Sequence, residues 1–429
     1  MSELPTYYRA TVPDSLVQRA SLRGDVHASV CVIGAGFAGL NIALGLQQRG
    51  LSDVVVLEKN EIGSGASGRN GGFVFGGFSL GEESLIRQQG MALARELYGL
   101  TTASVRRIRE RILARGIDCD MVDAGVIWAN WFTDDSVLHD RAAVMKSLGI
   151  NWEYWSATET SKHVRSDRYG ASLFERDAFH FHPLKYAAHL GALIEEQGGQ
   201  VFTDSPAVRI ERAVSGWIVE TEQGRVHCED LVLSCGGYLA GLDATVDAAV
   251  MPIATYVMVT EPLGEALNAV LPSGAAVYDT RFAFDYYRRL VDDRLLWGGR
   301  ISIKGRSPSQ VSDLLRKDLR KVFPSLADAR VDYAWNGWMS YAAHQMPQMK
   351  QLRDGLWVAQ AFGGHGVATT HAAGELLAEA IVRTRRGVAM SDDWNALQRY
   401  GLSSTHKPFG FIAAQLEYWR AEFMDAIRR

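Results

Sequence analysis

The chain begins with a polar, aperiodic stretch to about residue 25 and then changes character. Ser29-Val-Cys-Val-Ile33 is a continuous apolar run of strand length. A glycine cluster follows. Leu40 to Arg49 then carries apolar residues at helical spacing, and Gly50 closes it as a left-handed cap would. Asp53-Val-Val-Val-Leu57 is a second buried-type strand. Strand, helix and strand in this order predict a βαβ unit on a parallel sheet. Farther on, the pattern predicts a helix over 82–115, a strand over 120–128 and two helices within 134–165. A helix over 182–196 follows His182-Pro183, where proline suits a first turn. Short strands at 200–203, 206–212, 216–221 and 225–228 precede another buried strand, Leu231-Val-Leu-Ser-Cys235. Residues 250–300 read as β-rich and aromatic, 308–322 as a helix, and Trp335 to Met349 as irregular. Leu356 to Gln360 is a strand, a long helix runs to about 385, and an amphipathic helix with Phe411, Trp419 and Phe423 occupies 409–427.

Composition narrows the class without naming it. Apolar residues are 47% and charged residues 22% of the 429, as in ordinary globular enzymes. The net charge of −4 offers no general attraction to nucleic acid. No pair among Cys31, Cys119, Cys228 and Cys235 has metal-ligand spacing, so reduced core thiols and no metal site are expected. The N-terminus lacks a signal-peptide pattern, and no apolar run reaches the ~18 residues of a membrane span. A cytoplasmic protein is the expectation.

The glycines of the first unit carry chemistry. Gly34-Ala-Gly36-Phe37-Ala38-Gly39 stands between strand and helix. Gly34 allows a tight turn, Gly36 lets backbone approach a pyrophosphate, and Gly39 lets the helix pack on the strand. The helix N-terminus presents free N–H groups to phosphate. Glu58, about twenty residues on, stands where an acid holds ribose hydroxyls and disfavours a 2′-phosphate. Together these predict a dinucleotide site, FAD or NAD.

The next segment, Gly63-Ser-Gly65-Ala66-Ser67-Gly-Arg69-Asn70-Gly71-Gly72, separates the two. With Asp285-Tyr-Tyr-Arg288, Gly298-Gly-Arg300 and Ala361-Phe-Gly-Gly-His-Gly-Val367, it resembles the D-amino-acid-oxidase-like flavoenzymes, most nearly their γ-glutamylputrescine oxidase-like branch. The resemblance runs from about Tyr7 to the last helix. It implies an α/β (α+β) architecture, with a Rossmann-like FAD domain on a parallel sheet and a substrate domain on a large mixed or antiparallel sheet with flanking helices. The expected FAD domain is discontinuous, 1–100, 178–245 and 340–429, with 101–177 and 246–339 forming the substrate domain.

The resemblance also implies cofactor contacts at Lys59, Val208, Gly236, Gly363, Gly364, His365, Gly366, Val367 and Ala368. A glycine-rich helix opening suits an edge of the flavin that gains negative charge. Ser67 and Arg69 are expected to reach phosphate. The implied reaction is oxidation of an amine C–N bond by hydride transfer to flavin, imine hydrolysis, and reoxidation by O2 with release of H2O2. Such chemistry needs alignment and a deprotonated amine more than a strong base.

Two departures matter. Sarcosine oxidases tether flavin through a cysteine in the stretch that here reads Ser340-Tyr-Ala-Ala-His-Gln-Met-Pro347, and no histidine occurs in 63–72, so noncovalent FAD is expected. The lysine by which those enzymes bind a carboxylate is here Ala368. Candidate catalytic residues are His365, His344 and Tyr287. Candidate substrate contacts are Tyr256, Arg288, Trp297 and Trp338, the aromatics by boxing an amine through cation–π contact. Taken singly, each aromatic of this kind is more often sheet core than substrate contact, and His365 serves equally as a ring contact or a helix cap. The expected partners are a small amine and O2, in a monomer or small homo-oligomer with no nucleic acid and at most peripheral membrane contact. A secondary or cyclic amino acid such as proline or pipecolate is an alternative substrate. A quinone-linked dehydrogenase and a non-catalytic flavin scaffold also remain open.

Overall fold

The computed structural model describes residues 6–239, 241–282, 284–405 and 407–427. Two eight-stranded sheets organise it. The first runs Gln348–Arg353, Leu356–Gln360, Gly224–Leu233, Gly24–Ile33, Val54–Leu57, Gln200–Phe202. From Leu356–Gln360 to Gln200–Phe202 all pairings are parallel. Arg209–Arg212 and Trp217–Glu220 form a hairpin that pairs antiparallel with the N-terminal half of Gly224–Leu233. The second sheet runs Val331–Tyr341, Met251–Thr260, Leu295–Ser302, Tyr286–Arg289, Ala276–Asp279, Val126–Ala129, Ser172–Glu175, Glu153–Trp155. It is antiparallel except where Ala276–Asp279 meets Val126–Ala129. Both the α/β class and the mixed second sheet agree with expectation.

The fingerprint helix, Phe37–Gln48, is buried along nearly its whole length, which its apolar sequence permits. It packs on the helix Gly366–Arg385. Glycine is required at that crossing. A Cβ on Gly374 would lie 2.5 Å from the Asn41 Cβ, and one on Gly45 would lie 2.9 Å from the Ala378 Cβ. The helix Gly366–Arg385 is thereby locked to the fingerprint helix, although 333 residues separate Asn41 from Gly374 and Gly45 from Ala378. One large apolar core surrounds this helix pair, and a second lies under the other sheet.

Several boundaries differ from the sequence reading. Residues 6–25 are not irregular throughout, because Tyr7–Ala10 and Asp14–Val17 are short helices and Tyr7 and Tyr8 are buried. The long helix is two, Glu82–Gln89 and Met91–Arg115, broken at Gly90 with φ +79°. The strands at 225–228 and 231–235 are one, Gly224–Leu233. Trp335–Met349 is irregular only over 342–347: its first seven residues end the edge strand Val331–Tyr341, whose alternation is masked by polar and aromatic residues facing an interior space, and its last two begin the strand Gln348–Arg353.

Candidate active site

A cavity of about 2340 Å³ lies between the two sheets. Ordinary small-molecule pockets hold about 300–1,000 Å³, so this one has room for a dinucleotide and a second molecule. It sits beyond the carboxyl ends of the parallel strands, where ligands of open α/β sheets bind.

One part of its wall is the fingerprint. Gly34 has φ +108°, and a Cβ there would meet the Ser234 carbonyl oxygen at 2.8 Å. A Cβ on Gly39 would lie 1.9 Å from the Gly34 oxygen, so only glycine lets helix and turn close. Gly36 caps the helix without a side chain, and the Phe37 N–H donates to Ser67 Oγ at 2.8 Å. Glu58 Oε2 accepts the Ala35 N–H at 2.8 Å, and its other oxygen accepts the Asn60 N–H at 3.0 Å. Burial raises the Glu58 carboxyl above its usual range, opposed by these N–H donors. Lys59, Gly65, Ala66, Arg69, Asn70, Gly71, Val208 and Gly236 line the same space. Gly72 does not, because it packs behind the loop, where a Cβ would lie 2.2 Å from the Phe181 oxygen.

The glycine loop 63–72 is held from within and behind. Asn70 Nδ2 donates to the Ala66 and Ser67 carbonyls and its Oδ1 accepts the Gly72 N–H. Arg69 Nε donates to the Ser64 carbonyl at 2.9 Å. Arg69 therefore spends donors on the loop itself.

Another part of the wall is the turn Phe362–His365 before the helix Gly366–Arg385. Gly363, φ +60°, donates its N–H to the Ser340 carbonyl at 2.8 Å, and the Gly364 N–H donates to Ser79 Oγ at 2.9 Å. Gly363, Gly364, His365, Gly366 and Val367 line the cavity, while Ala368 is buried behind them. The helix points its N-terminus, and its positive dipole end, at this space. Burial lowers His365 to about 4, so it is neutral at physiological pH, and its Nδ1 has no hydrogen-bond partner among the described residues.

The remaining candidates divide. Trp338 lines the cavity. Tyr287 and Trp297 do not: they are cross-strand partners stacked at 4.5 Å in the second core. Strand alternation turns Tyr287 away from the face that carries Tyr286, which does line the cavity. Tyr256 is buried, its hydroxyl donating to the Lys304 carbonyl at 2.7 Å. His344 packs on Tyr400, with Nε2 3.2 Å from the Gly401 carbonyl, outside the cavity wall. Arg288 is buried too, and binds the carbonyls of Gly71 and Phe181 and the Tyr8 hydroxyl. It braces the glycine loop instead of facing a ligand.

The sequence reading missed a polar cluster beside the His365 turn. Arg141 lines the cavity with Trp128, Phe75 and Tyr278. It is ion-paired to the buried Glu82, and its guanidinium lies over Trp128 and Trp152. Glu175 lies close by. Burial chiefly, and the charge of Glu82, push it up to about 8, with Arg141 opposing. Arg141 Nε and Glu175 Oε2 lack hydrogen-bond partners among the described residues. Phe75 stacks on Tyr278 at 5.7 Å and meets His365 edge-on at 5.2 Å, forming an aromatic wall. No local motif announces these residues, which come from five separated elements.

A flat glycine-lined cradle, a buried acid beside the turn and a bare helix N-terminus all fit a dinucleotide whose other end is a planar ring. The family model for FAD-dependent oxidoreductases (DAO) matches residues 29–380. The chain belongs to the DAO family of FAD-dependent oxidoreductases. FAD is the cofactor of this DAO protein. It is 33% identical over 392 residues to the gamma-glutamylputrescine oxidoreductase of Escherichia coli, covering 89% of this chain and 90% of that one. It is also 33% identical to a probable oxidoreductase, OrdL, of Haemophilus influenzae, over 83% of each chain. Glycine oxidase from Geobacillus kaustophilus superposes with a TM-score of 0.70 at 21% identity, over 88% of this chain and 98% of the other, which is a likeness of fold. Among the described residues, no helix is long and apolar enough to cross a membrane.

Proposed function

We propose that this DAO protein oxidises the C–N bond of a linear amine, γ-glutamylputrescine or a close relative, with noncovalent FAD and O2 as the final acceptor. The observation that carries the reading is Arg141, a cation beside the aromatic wall, in a chain 33% identical to a gamma-glutamylputrescine oxidoreductase over most of both lengths. A γ-glutamyl group keeps a free carboxylate, and a guanidinium is suited to bind it by paired, charge-assisted hydrogen bonds.

FAD, when bound, supplies the two-electron oxidant. The chain's own residues do the rest. Gly34, Gly36 and Ser67, whose hydroxyl already accepts the Phe37 N–H, would hold the pyrophosphate, Glu58 the ribose, and Gly363–Val367 the ring end. Phe75, Tyr278 and Tyr286 enclose the carbon chain of the amine and exclude water. Arg141, held by Glu82, receives the carboxylate and fixes which end of the molecule reaches the oxidant. His365 is held neutral by burial, so it adds no second cation to Arg141 in the space the amine enters. Cys235 also lines the cavity, but burial pushes its thiol up to about 12, which leaves it unreactive and supports a noncovalent cofactor.

The test is turnover of a panel in air with peroxide detection: γ-glutamylputrescine, putrescine, sarcosine and proline. The reading expects the highest kcat/KM, and peroxide, with γ-glutamylputrescine. A preference for proline or sarcosine overturns the substrate. Turnover only with an added quinone or dye overturns O2.

A further inference from the structure

The helix Lys407–Ile427 has two faces that differ in use. Its inner face lines the active-site cavity through Gly410, Ala414 and Tyr418. It is fixed there at three points. Lys407 pairs with Asp247 at 2.7 Å, Asp425 accepts the Phe282 N–H at 2.9 Å, and the buried Tyr418 hydroxyl bonds Arg300. The outer face carries Phe409, Ile412, Leu416, Trp419 and Phe423, each more than half exposed. No other element of the described chain presents so many large apolar side chains to solvent.

We infer that this outer face is the seat of a second copy of the chain, so that the protein is a dimer paired through its last helix. The spacing of the five residues is three, four, three, four. That is a period of 3.5, the seam by which two helices pack against each other. At their exposures the five side chains present roughly 600 Å² of apolar surface. A standard interface takes about 800 Å² from each partner, so the stripe and a modest rim suffice. Exposed contiguous patches of this size mark interaction surfaces. The charge of the helix argues for protein over lipid. Residues 407–427 hold two basic and three acidic side chains, whereas helices that lie on anionic membranes are rich in lysine and arginine. A dimer built this way places the wall of each cavity directly beneath the subunit contact.

The test is light-scattering mass measurement on the FAD-loaded protein at tens of micromolar, with three forms. The wild type is expected at twice the 47.3 kDa chain mass. Leu416→Glu combined with Trp419→Glu is expected at the single-chain mass, with flavin content and circular dichroism unchanged because both positions are exposed. Val214→Glu, on an exposed apolar residue of the hairpin turn, is expected to remain a dimer. A monomeric wild type, or a stripe variant that remains a dimer, overturns the inference. So does a monomeric wild type that sediments with phosphatidylglycerol vesicles, which assigns the face to a membrane. A stripe variant that loses its flavin is replaced by Ile412→Gln with Leu416→Gln, to which the same two masses apply.

Discussion

Arg288 Nε donates to the Gly71 carbonyl at 2.6 Å, and its Nη2 donates to the Phe181 carbonyl at 2.9 Å. A buried cation thus holds the underside of the loop whose upper side faces the cofactor space. The same charge, after burial itself, holds His180 down at about 3, so that ring stays neutral. Arg288→Met would strand two buried carbonyls, at about 1–3 kcal/mol each. The expected outcome is a lower melting temperature and lower flavin occupancy, with KM for the amine unchanged in the loaded fraction. A raised KM at full occupancy would instead return Arg288 to the substrate.

Gly39→Ala should abolish flavin binding. Its Cβ would lie 1.9 Å from the Gly34 oxygen, and that contact is backbone, which cannot rotate away. Absorbance of the purified protein reads the outcome, and a yellow, fully loaded variant contradicts the packing.

Arg141→Met should raise KM for γ-glutamylputrescine by about 10- to 100-fold, the worth of a charge-assisted hydrogen bond of about 1.5–3 kcal/mol. Flavin content should not change, because Arg141 lies with Trp128 and Tyr278, away from the fingerprint. Steady-state kinetics with the substrate and with putrescine, which lacks the carboxylate, should show the loss for the first alone.

Glu175 gives a pH signature. Its folded pKa, about 8, lies above that of an unfolded glutamate, so the folded state holds the extra proton between the two values. Stability from this group is therefore full at low pH and is lost as pH rises toward 8. Glu175→Gln should flatten the fall in melting temperature between pH 5 and about 8. An unchanged slope would show that the carboxyl is not held protonated.

How much of this is legible in the sequence depends on range. The Gly34–Gly39 turn and Glu58 are local, set by one strand, one helix and the next strand, and their pattern survives in 25 residues. The Gly363–Gly366 helix opening is legible for the same reason. The amine end is not. Tyr287 and Trp297 look like an aromatic box in sequence, but one step of strand alternation turns them into core. Arg141 sits in a helix of unremarkable polarity, and only the tertiary approach of Glu82, Glu175 and Trp128 gives it a site. Arg288, flanked by polar and aromatic residues, reads as a ligand contact until its acceptors prove to be backbone.

The most direct measurement is anaerobic mixing of the flavin-loaded protein with γ-glutamylputrescine while the visible absorbance of the flavin is followed. The account predicts bleaching at a rate that saturates with amine concentration and that slows at fixed low amine in Arg141→Met. Flavin that stays oxidised with γ-glutamylputrescine and with every other amine of the panel would contradict it.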